Sequence, residues 1–384
     1  MASKVFFADM RASLKRNFPD KIRDLIEQVG LAQRIKPGGL TAIKIHFGEK
    51  GNTAYIRPVY ARIFVDAVRA ARGKPFLTDA NTLYVGTRSD SVSHLTTATE
   101  NGFAYSVVGA PLIIADGLRG DHFREVPVNL PECEVAYIGA EVVDADCLIS
   151  LAHFKGHELA GFGGTNKNLG MGAASRHGKL FQHSDITPAI MAEKCIACGA
   201  CIRRCPASAI KFTKRGADEP APEHAQNPEL RAVKDPEKCI GCGDCVLTCP
   251  EGAIQIQWNA EIPAFLRRMT AYTKGVLTGK EDHAVFFNFI TDVSPACDCY
   301  PFQDAAIVSD IGVLASTDPV AIDQAAVDLV NQAPGLGGSC LKHECLAPGS
   351  DKFRSIYPHV DWSVQLAYGQ EIGLGSREYE LLTV

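Results

Sequence analysis

The sequence predicts a large α/β domain with a mixed or largely parallel sheet, interrupted by a small, cysteine-rich α+β domain. Three observations carry this reading. Apolar, β-rich runs alternate with helical patterns over residues 1–190 and again over 259–384. Between them, over 191–258, one cysteine-containing segment occurs twice in nearly the same form. At 384 residues the chain is long enough for one large and one small domain. The large domain is therefore discontinuous in sequence, 1–190 plus 259–384.

The α/β elements follow in order. Strand-like runs are expected at Leu40–Phe47, Pro75–Asp79, Val107–Ala115, Ala145–Phe154, Ala284–Val293 and Ala305–Ala315. Ile56, Val59, Tyr60, Ile63, Phe64, Ala67 and Val68 recur at helical spacing, which predicts an amphipathic helix over Ile56–Arg72. Asp318-Pro319 opens a second helix, with Asp as the N-cap and Pro at the first helical position, running to about Val330. The stretch Pro263–Leu277 reads as a surface helix with its apolar face on the core. Its basic residues also permit a peripheral membrane role.

Composition narrows the function classes. An apolar fraction of 46% with 22% charged residues is ordinary for a chain that buries a core. A formal net charge of −5 lacks the basic footprint of a general nucleic-acid binder. No apolar run is long enough to cross a bilayer, and the first residues lack the apolar core and cleavage site of a secretory signal. A cytoplasmic location is expected. In that setting the 14 cysteines should be metal-bound or free thiols rather than a disulfide framework.

The repeat decides what most of them do. EKCIACGACIRRCPASAI (193–210) returns as EKCIGCGDCVLTCPEGAI (237–254), each half reading C-x2-C-x2-C-x3-C-P. This is the bacterial two-cluster ferredoxin run, in which the fourth cysteine of each half ligates the other cluster. Cys195, Cys198, Cys201 and Cys249 are thus assigned to one [4Fe–4S] cube, and Cys239, Cys242, Cys245 and Cys205 to the other. Gly199 and Gly243 allow tight turns that aim backbone N–H groups at sulfur, and Pro206 and Pro250 turn each fourth ligand inward. Two structural zinc ribbons are the alternative, but two CP-terminated runs without an interleaved histidine do not suit them. The Pro-, Glu- and Lys-rich stretch between the runs reads as a solvated excursion.

Three constellations in the α/β part could carry chemistry. In IKIHFGEKGNTAYIRP (43–58) a strand ends in Lys44, His46 and a glycine-bearing loop, and loops at the carboxyl ends of strands build ligand sites in α/β sheets. Ser150–His183 runs from a buried strand into HFKGHELAGFGGTNKNLGMGAASRHGK, matching neither Walker A nor a clean G-x-G-x-x-G. His153, Lys155 and His157 are candidates there to orient or protonate a substrate. Asn166, Lys167, Arg176 and Lys179 supply donors and positive charge for a substrate or anion. In the third, CDCYPFQD, Cys297 and Cys299 stand outside the cluster framework. They are open to three readings: ligands of an additional metal or cluster, a redox-active dithiol, or inert thiols at a strand end. Cys133 and Cys147 read as core residues, and Cys340 and Cys345 as part of a surface loop.

HFKGHELAGFGGTNKNLGMGAASRHGK, CDCYPFQDA, SDIGVLASTDPVAIDQA and GLGSREYEL together resemble domain-of-unknown-function family 362. More closely, the chain resembles that family's branch of uncharacterised iron–sulfur centre proteins, over nearly its whole length. The resemblance implies a cytoplasmic, oxygen-sensitive and anaerobic redox context with two [4Fe–4S] clusters. It also implies that the H-F-K-G-H and C-D-C segments share one site. The expected function is electron transfer between two [4Fe–4S] clusters and a site in the α/β domain, in an oxidoreductase of unknown substrate with a redox partner protein. A non-catalytic electron-transfer subunit or a metal or cluster maturation factor is the alternative. No flavin or nicotinamide signature is present.

Overall fold

The computed structural model describes residues 2–84, 86–183, 189–205, 207–239, 245, 248–255 and 261–384. Cys242, Gly243 and Pro206 lie outside them. Eight strands form one main sheet: β1 (Ser3–Asp9), β2 (Leu40–Ile45), β3 (Lys74–Asp79), β4 (Leu112–Ile114), β5 (Cys147–His153), β6 (Ala284–Ile290), β7 (Gly312–Ser316) and β8 (Tyr379–Thr383). Their order is β8-β1-β7-β6-β5-β2-β3-β4. The five strands from β6 to β4 are mutually parallel, whereas β7 runs antiparallel to both its neighbours, β1 and β6. The sheet is mixed and mostly parallel, as expected.

The central strands explain why their sequences look uniformly apolar. Every residue of β5 and β6 is buried. Successive side chains alternate between faces, so Leu148 and Phe286 join one core while Ile149, Val285 and Phe287 join the other. Helices α1 (Phe18–Gln28) and α2 (Pro58–Ala70) cover the second core. The first lies under α3 (Ile262–Leu277) and α4 (Pro319–Gln332). Asp318 caps α4 through the N–H groups of Val320 and Ala321, as its sequence implied. Helix α3 buries Phe265, Leu266, Met269, Tyr272 and Val276 within the protein, which is the core-packing role read from its sequence. Among the described residues no helix is long and apolar enough to cross a membrane.

Several boundaries differ from expectation. Val107–Ala115 is not one strand: Tyr105–Val108 is a helical turn, Gly109 takes a left-handed φ of 73°, and only Leu112–Ile114 pairs, at the sheet edge. Ala305–Ala315 becomes strand only from Gly312. Strands β1 and β8 and helix α1 went unpredicted, although α1 starts with a reciprocal Asn17–Asp20 capping box. The stretch between the cysteine runs is partly ordered. Ile210–Lys214 pairs antiparallel with Leu230–Lys234.

Sheet neighbours β5 and β6 flank, in sequence, the segment that carries both cysteine runs. Within that segment Ala189–Ile190 pairs antiparallel with Ile254–Gln255. A small hydrophobic cluster of Cys195, Cys201, Ile210, Ala232, Ala253 and Ile254 fills it, separate from the two cores of the sheet.

One contact positions the chemistry-bearing loops. After β5 the chain continues extended into the short strand Lys155–His157, and the Gly156 N–H donates to the Ser294 carbonyl at 2.8 Å. A Cβ on Gly156 would lie 2.0 Å from the Pro295 carbonyl oxygen. Gly156→Ala must therefore push two backbones apart. It is expected to lower unfolding stability by about 1–3 kcal/mol, readable as a reduced urea midpoint. An unchanged midpoint would show that this packing does not hold the loops together.

Candidate functional site

The carboxyl ends of β2, β3, β5 and β6 point to the same edge of the sheet. Ligand sites form there in open α/β sheets. A cavity of about 750 Å³ opens at that edge, with Lys44, His46, Asp79, Arg88, His153, Lys155, His157 and Cys299 on its wall. That volume falls in the range of small-molecule sites.

The H-F-K-G-H segment contributes through the two-residue period of extended chain. His153, Lys155 and His157 therefore project to the same side. A strand thus brings all three polar side chains of the segment to one side. His153 Nδ1 meets Asp298 Oδ1 at 2.8 Å and its Nε2 meets the Thr291 carbonyl at 2.8 Å. Both ring nitrogens thus face oxygen acceptors, a pattern that a doubly protonated ring satisfies. Lys155 Nζ lies 3.1 Å from Asp298 Oδ2 and donates to the His153 carbonyl at 3.0 Å. Burial pushes the Asp298 carboxyl up, but His153 and Lys155 outweigh it and hold the group below its ordinary range.

On either side of Asp298 stand the two cysteines. Lys167 Nζ donates to Cys297 Sγ at 3.2 Å. The hydrogen bond from Cys299 does most to hold the Cys297 thiol well below its ordinary value; burial opposes this, and Lys167, His157 and Lys155 reinforce it. Giving that hydrogen bond, together with burial, pushes the Cys299 thiol well up. Burial works against the Lys167 ammonium, but the two sulfurs more than compensate. Cys297 is fully buried, whereas Cys299 lies on the cavity wall. Leu159 and Ala160 donate their N–H groups to His157 Nδ1, at 3.2 and 3.1 Å, so the proton of the neutral ring sits on Nε2.

Lys167 reaches the sulfur because a short helix, Thr165–Gly170, is anchored behind it. Asp323 accepts from the Thr165 and Asn166 N–H groups at 2.7 and 2.9 Å, and from Asn288 Nδ2 at 2.7 Å. Asn168, on the same helix, accepts from Lys44 Nζ at 3.0 Å and donates to Ser150 Oγ at 2.9 Å. Lys44 in turn pairs with Asp79 at 2.8 Å, and burial pulls the Lys44 ammonium down against that partner. Arg88 joins Asp79 at 3.1 Å and Glu49 at 3.3 Å, and Tyr84 donates to Glu49 at 2.9 Å. His46 accepts the Gly48 N–H on Nδ1 at 2.9 Å. Burial first, then Arg88, hold His46 well below its ordinary value, so the ring is neutral and its Nε2–H is a donor at the cavity.

The predicted candidates divide accordingly. Lys44, His46, His153, Lys155, His157, Lys167, Lys179 and Cys299 line one cavity. Asn166 does not: its amide is spent on Thr270, Gln365 and Thr273 beneath helix α3. Arg176 is also buried away from the wall, and holds the Ser89 carbonyl. Asp79, Glu49, Tyr84 and Arg88 were missed as site residues. Asp79 ends a predicted strand, a signal that the sequence does carry, whereas Arg88 earns its place only through partners distant in the fold.

A second, much smaller cavity is lined by Cys195, Cys198, Cys201 and Cys249, three cysteines of the first run and the last of the second. Gly199, at φ 71°, makes the turn between them. Backbone N–H groups point at sulfur: Ala232 to Cys195 at 3.4 Å, Ala253 to Cys249 at 3.3 Å and Ala209 to Cys205 at 3.2 Å. Burial pulls the Lys234 ammonium down, and the nearby Cys239 and Cys245 oppose that. Among the described residues no three His, Cys, Asp or Glu side chains close on a single metal-ion position. A cube places each thiolate on a different iron, so four cysteines spread around a cavity, with N–H donors on their sulfurs, fit it.

The model of the domain of unknown function DUF362 matches residues 41–328. The chain belongs to this family. The matched span contains every wall residue of the large cavity in this DUF362 protein. No curated protein matches it. Among solved structures, it is similar to the lactate racemase apoprotein from Thermoanaerobacterium thermosaccharolyticum, at 14% identity and TM-score 0.36, over 76% of this chain and 51% of that one. It is similar also to a Thermotoga maritima protein, at 9% identity and TM-score 0.39, over 84% of this chain and 61% of the other. The DUF362 chain thus spans between half and two thirds of the length of these structures.

Asp298 is the hinge of the site's electrostatics. Asp298→Asn leaves His153 and Lys155 without their buried counter-charge and is expected to destabilise the fold by about 3–5 kcal/mol at pH 7. Because the native carboxyl is depressed, its contribution is complete above about pH 4 and is lost as pH falls through the native value. Urea unfolding across the acid range should show that decline in the wild type and a flatter profile in the variant. Parallel profiles would remove Asp298 as the charge partner.

Proposed function

We propose that this chain is an iron–sulfur oxidoreductase that moves electrons between two [4Fe–4S] clusters and a small polar substrate held in the α/β cavity. Cys195, Cys198, Cys201 and Cys249 would hold one cluster, and Cys239, Cys242, Cys245 and Cys205 the other. Bound there, the clusters supply one-electron transfer at potentials tuned by N–H donors to their sulfurs. The observation that carries the reading is the gathering of Cys195, Cys198, Cys201 and Cys249 on one cavity, in the crossed pattern of a two-cluster ferredoxin.

The chain's own residues supply the rest. His46 presents a neutral N–H donor, and Lys167 and Lys179 add positive charge at the wall, a combination suited to carboxylate or carbonyl oxygens. Asp298 holds His153 and Lys155 in place behind them. His183 lies on the cavity wall, and Ala189 already belongs to the cysteine segment. Six residue steps span at most about 20 Å, so that segment is tethered beside the cavity. The setting we propose is cytoplasmic and anaerobic, with a separate redox protein exchanging electrons at the cluster segment.

Anaerobic purification with iron and sulfide quantification tests this. About eight irons per chain are expected, unchanged in a Cys297→Ala/Cys299→Ala double variant. Cys249→Ala should disturb the cluster of the first run, and Cys205→Ala that of the second, as resolved by electron paramagnetic resonance. Zinc in place of iron would overturn the reading. Full clusters with no small molecule binding the cavity would instead favour an electron-transfer subunit.

A further inference from the structure

The clusters exchange electrons singly, and most small-molecule reductions need a pair. Cys297 and Cys299 lie where such a pair could be assembled. The Cys299 N–H donates to Cys297 Sγ at 3.5 Å, with Cys297 sealed in the protein and Cys299 on the wall of the 750 Å³ cavity. A cation bridging them would have to sit beside the Lys167 ammonium, itself 3.2 Å from Cys297 Sγ. The negative charge that a metal would neutralise is thus already met, and among the described residues no third ligand completes a metal group. Inert core thiols do not suit the site either, because the buried Lys167 ammonium is spent on Cys297.

We propose that Cys297 and Cys299 are a dithiol–disulfide couple that reduces a small disulfide carrying carboxylate groups. Its electron source rests on the cluster reading above; the exchange chemistry does not. Cys299 Sγ, on the cavity wall, attacks one sulfur of the substrate while its proton passes to Cys297. The substrate S–S bond breaks, one thiolate leaves, and a mixed disulfide remains on Cys299. Cys297 then gives its proton to the departing thiolate and attacks Cys299 Sγ, releasing the second thiolate. The sum is one thiol and one thiolate of the protein plus one substrate disulfide, giving one protein disulfide, one substrate thiol and one substrate thiolate. Two electrons and one proton restore the starting pair; [4Fe–4S] clusters held by the ferredoxin-type cysteines would supply those electrons one at a time. Lys167 and His157 are positioning residues that stabilise negative charge on Cys297. Lys167, Lys179 and the His46 N–H offer the carboxylates their partners. The cavity volume admits a tripeptide-sized molecule and excludes a folded protein.

The test uses the full-length, anaerobically purified protein with oxidised glutathione as the probe, and cystamine as the same bond without carboxylates. Acid quenching, alkylation and peptide mass spectrometry read the segment that holds both cysteines. The expected result is an internal Cys297–Cys299 disulfide, reversed by dithiothreitol and formed at least tenfold faster with oxidised glutathione than with cystamine. Cys297→Ser should stop at a mixed disulfide on Cys299, and Cys299→Ser should react at least tenfold more slowly. Both thiols remaining alkylatable, or a mixed disulfide that persists in the wild type, would overturn the couple. Equal rates with the two probes would overturn the carboxylate preference. Iron and sulfide content, measured on the same samples, reports separately on the clusters: protein without iron that still forms the internal disulfide sinks the electron source alone.

Discussion

Everything at the cavity depends on two backbones touching. The Gly156 N–H and the Ser294 carbonyl join the strand after β5 to the loop after β6, and no side chain larger than hydrogen fits between them. Because β5 and β6 are neighbouring parallel strands, their following loops leave the sheet side by side. The glycine lets them close to contact. Only then does the His153–Lys155–His157 row face Asp298 and the two cysteines. A second clamp works from the other side, where a Cβ on Gly51 would lie 2.4 Å from the Pro301 carbonyl oxygen and Asn52 donates to the Phe302 carbonyl at 3.0 Å.

The cavity wall is dense in charge that is nearly all matched internally. Lys44 and Arg88 share Asp79, Arg88 also meets Glu49, and His153 and Lys155 share Asp298. Lys167 meets a sulfur instead of a carboxylate. Buried charges removed from water persist only with such partners, and removing one member strands the other. The network therefore fixes side chains before any ligand arrives. That preorganisation lets a site act without first paying to order itself.

How much of this was legible in the sequence follows from the range of the interactions involved. The C-x2-C-x2-C-x3-C-P spacing is local, so the grouping of Cys195, Cys198, Cys201 and Cys249 could be written down before any fold was known. The apolar runs of β5 and β6 are local too, and both strands appear within a few residues of the expected bounds. Polar residues crowded behind β5 marked the cavity, yet they could not separate Lys167, which faces it, from Asn166, which turns under α3 to Thr270 and Gln365. That difference is one residue on a short helix whose orientation Asp323 sets from far along the chain. Arg88 was invisible for the same reason, whereas Asp79 closed a predicted strand and could have been read as a site residue. Strands β1 and β8, the last two at one side of the sheet, were missed because their partly exposed residues dilute the apolar pattern. Gly109 and Pro111 interrupt the run around β4 where hydrophobicity alone suggested continuity.

The pairing of Ala189–Ile190 with Ile254–Gln255 has a consequence for the chain's history. A segment whose two ends are stitched together needs only a narrow gateway in its host. Its arrival would lengthen a single crossover between β5 and β6 without shifting the register of either strand. The cysteine segment is in that sense a cassette: it hangs on a single crossover, so it could be exchanged as one piece without re-registering the sheet whose loops build the cavity.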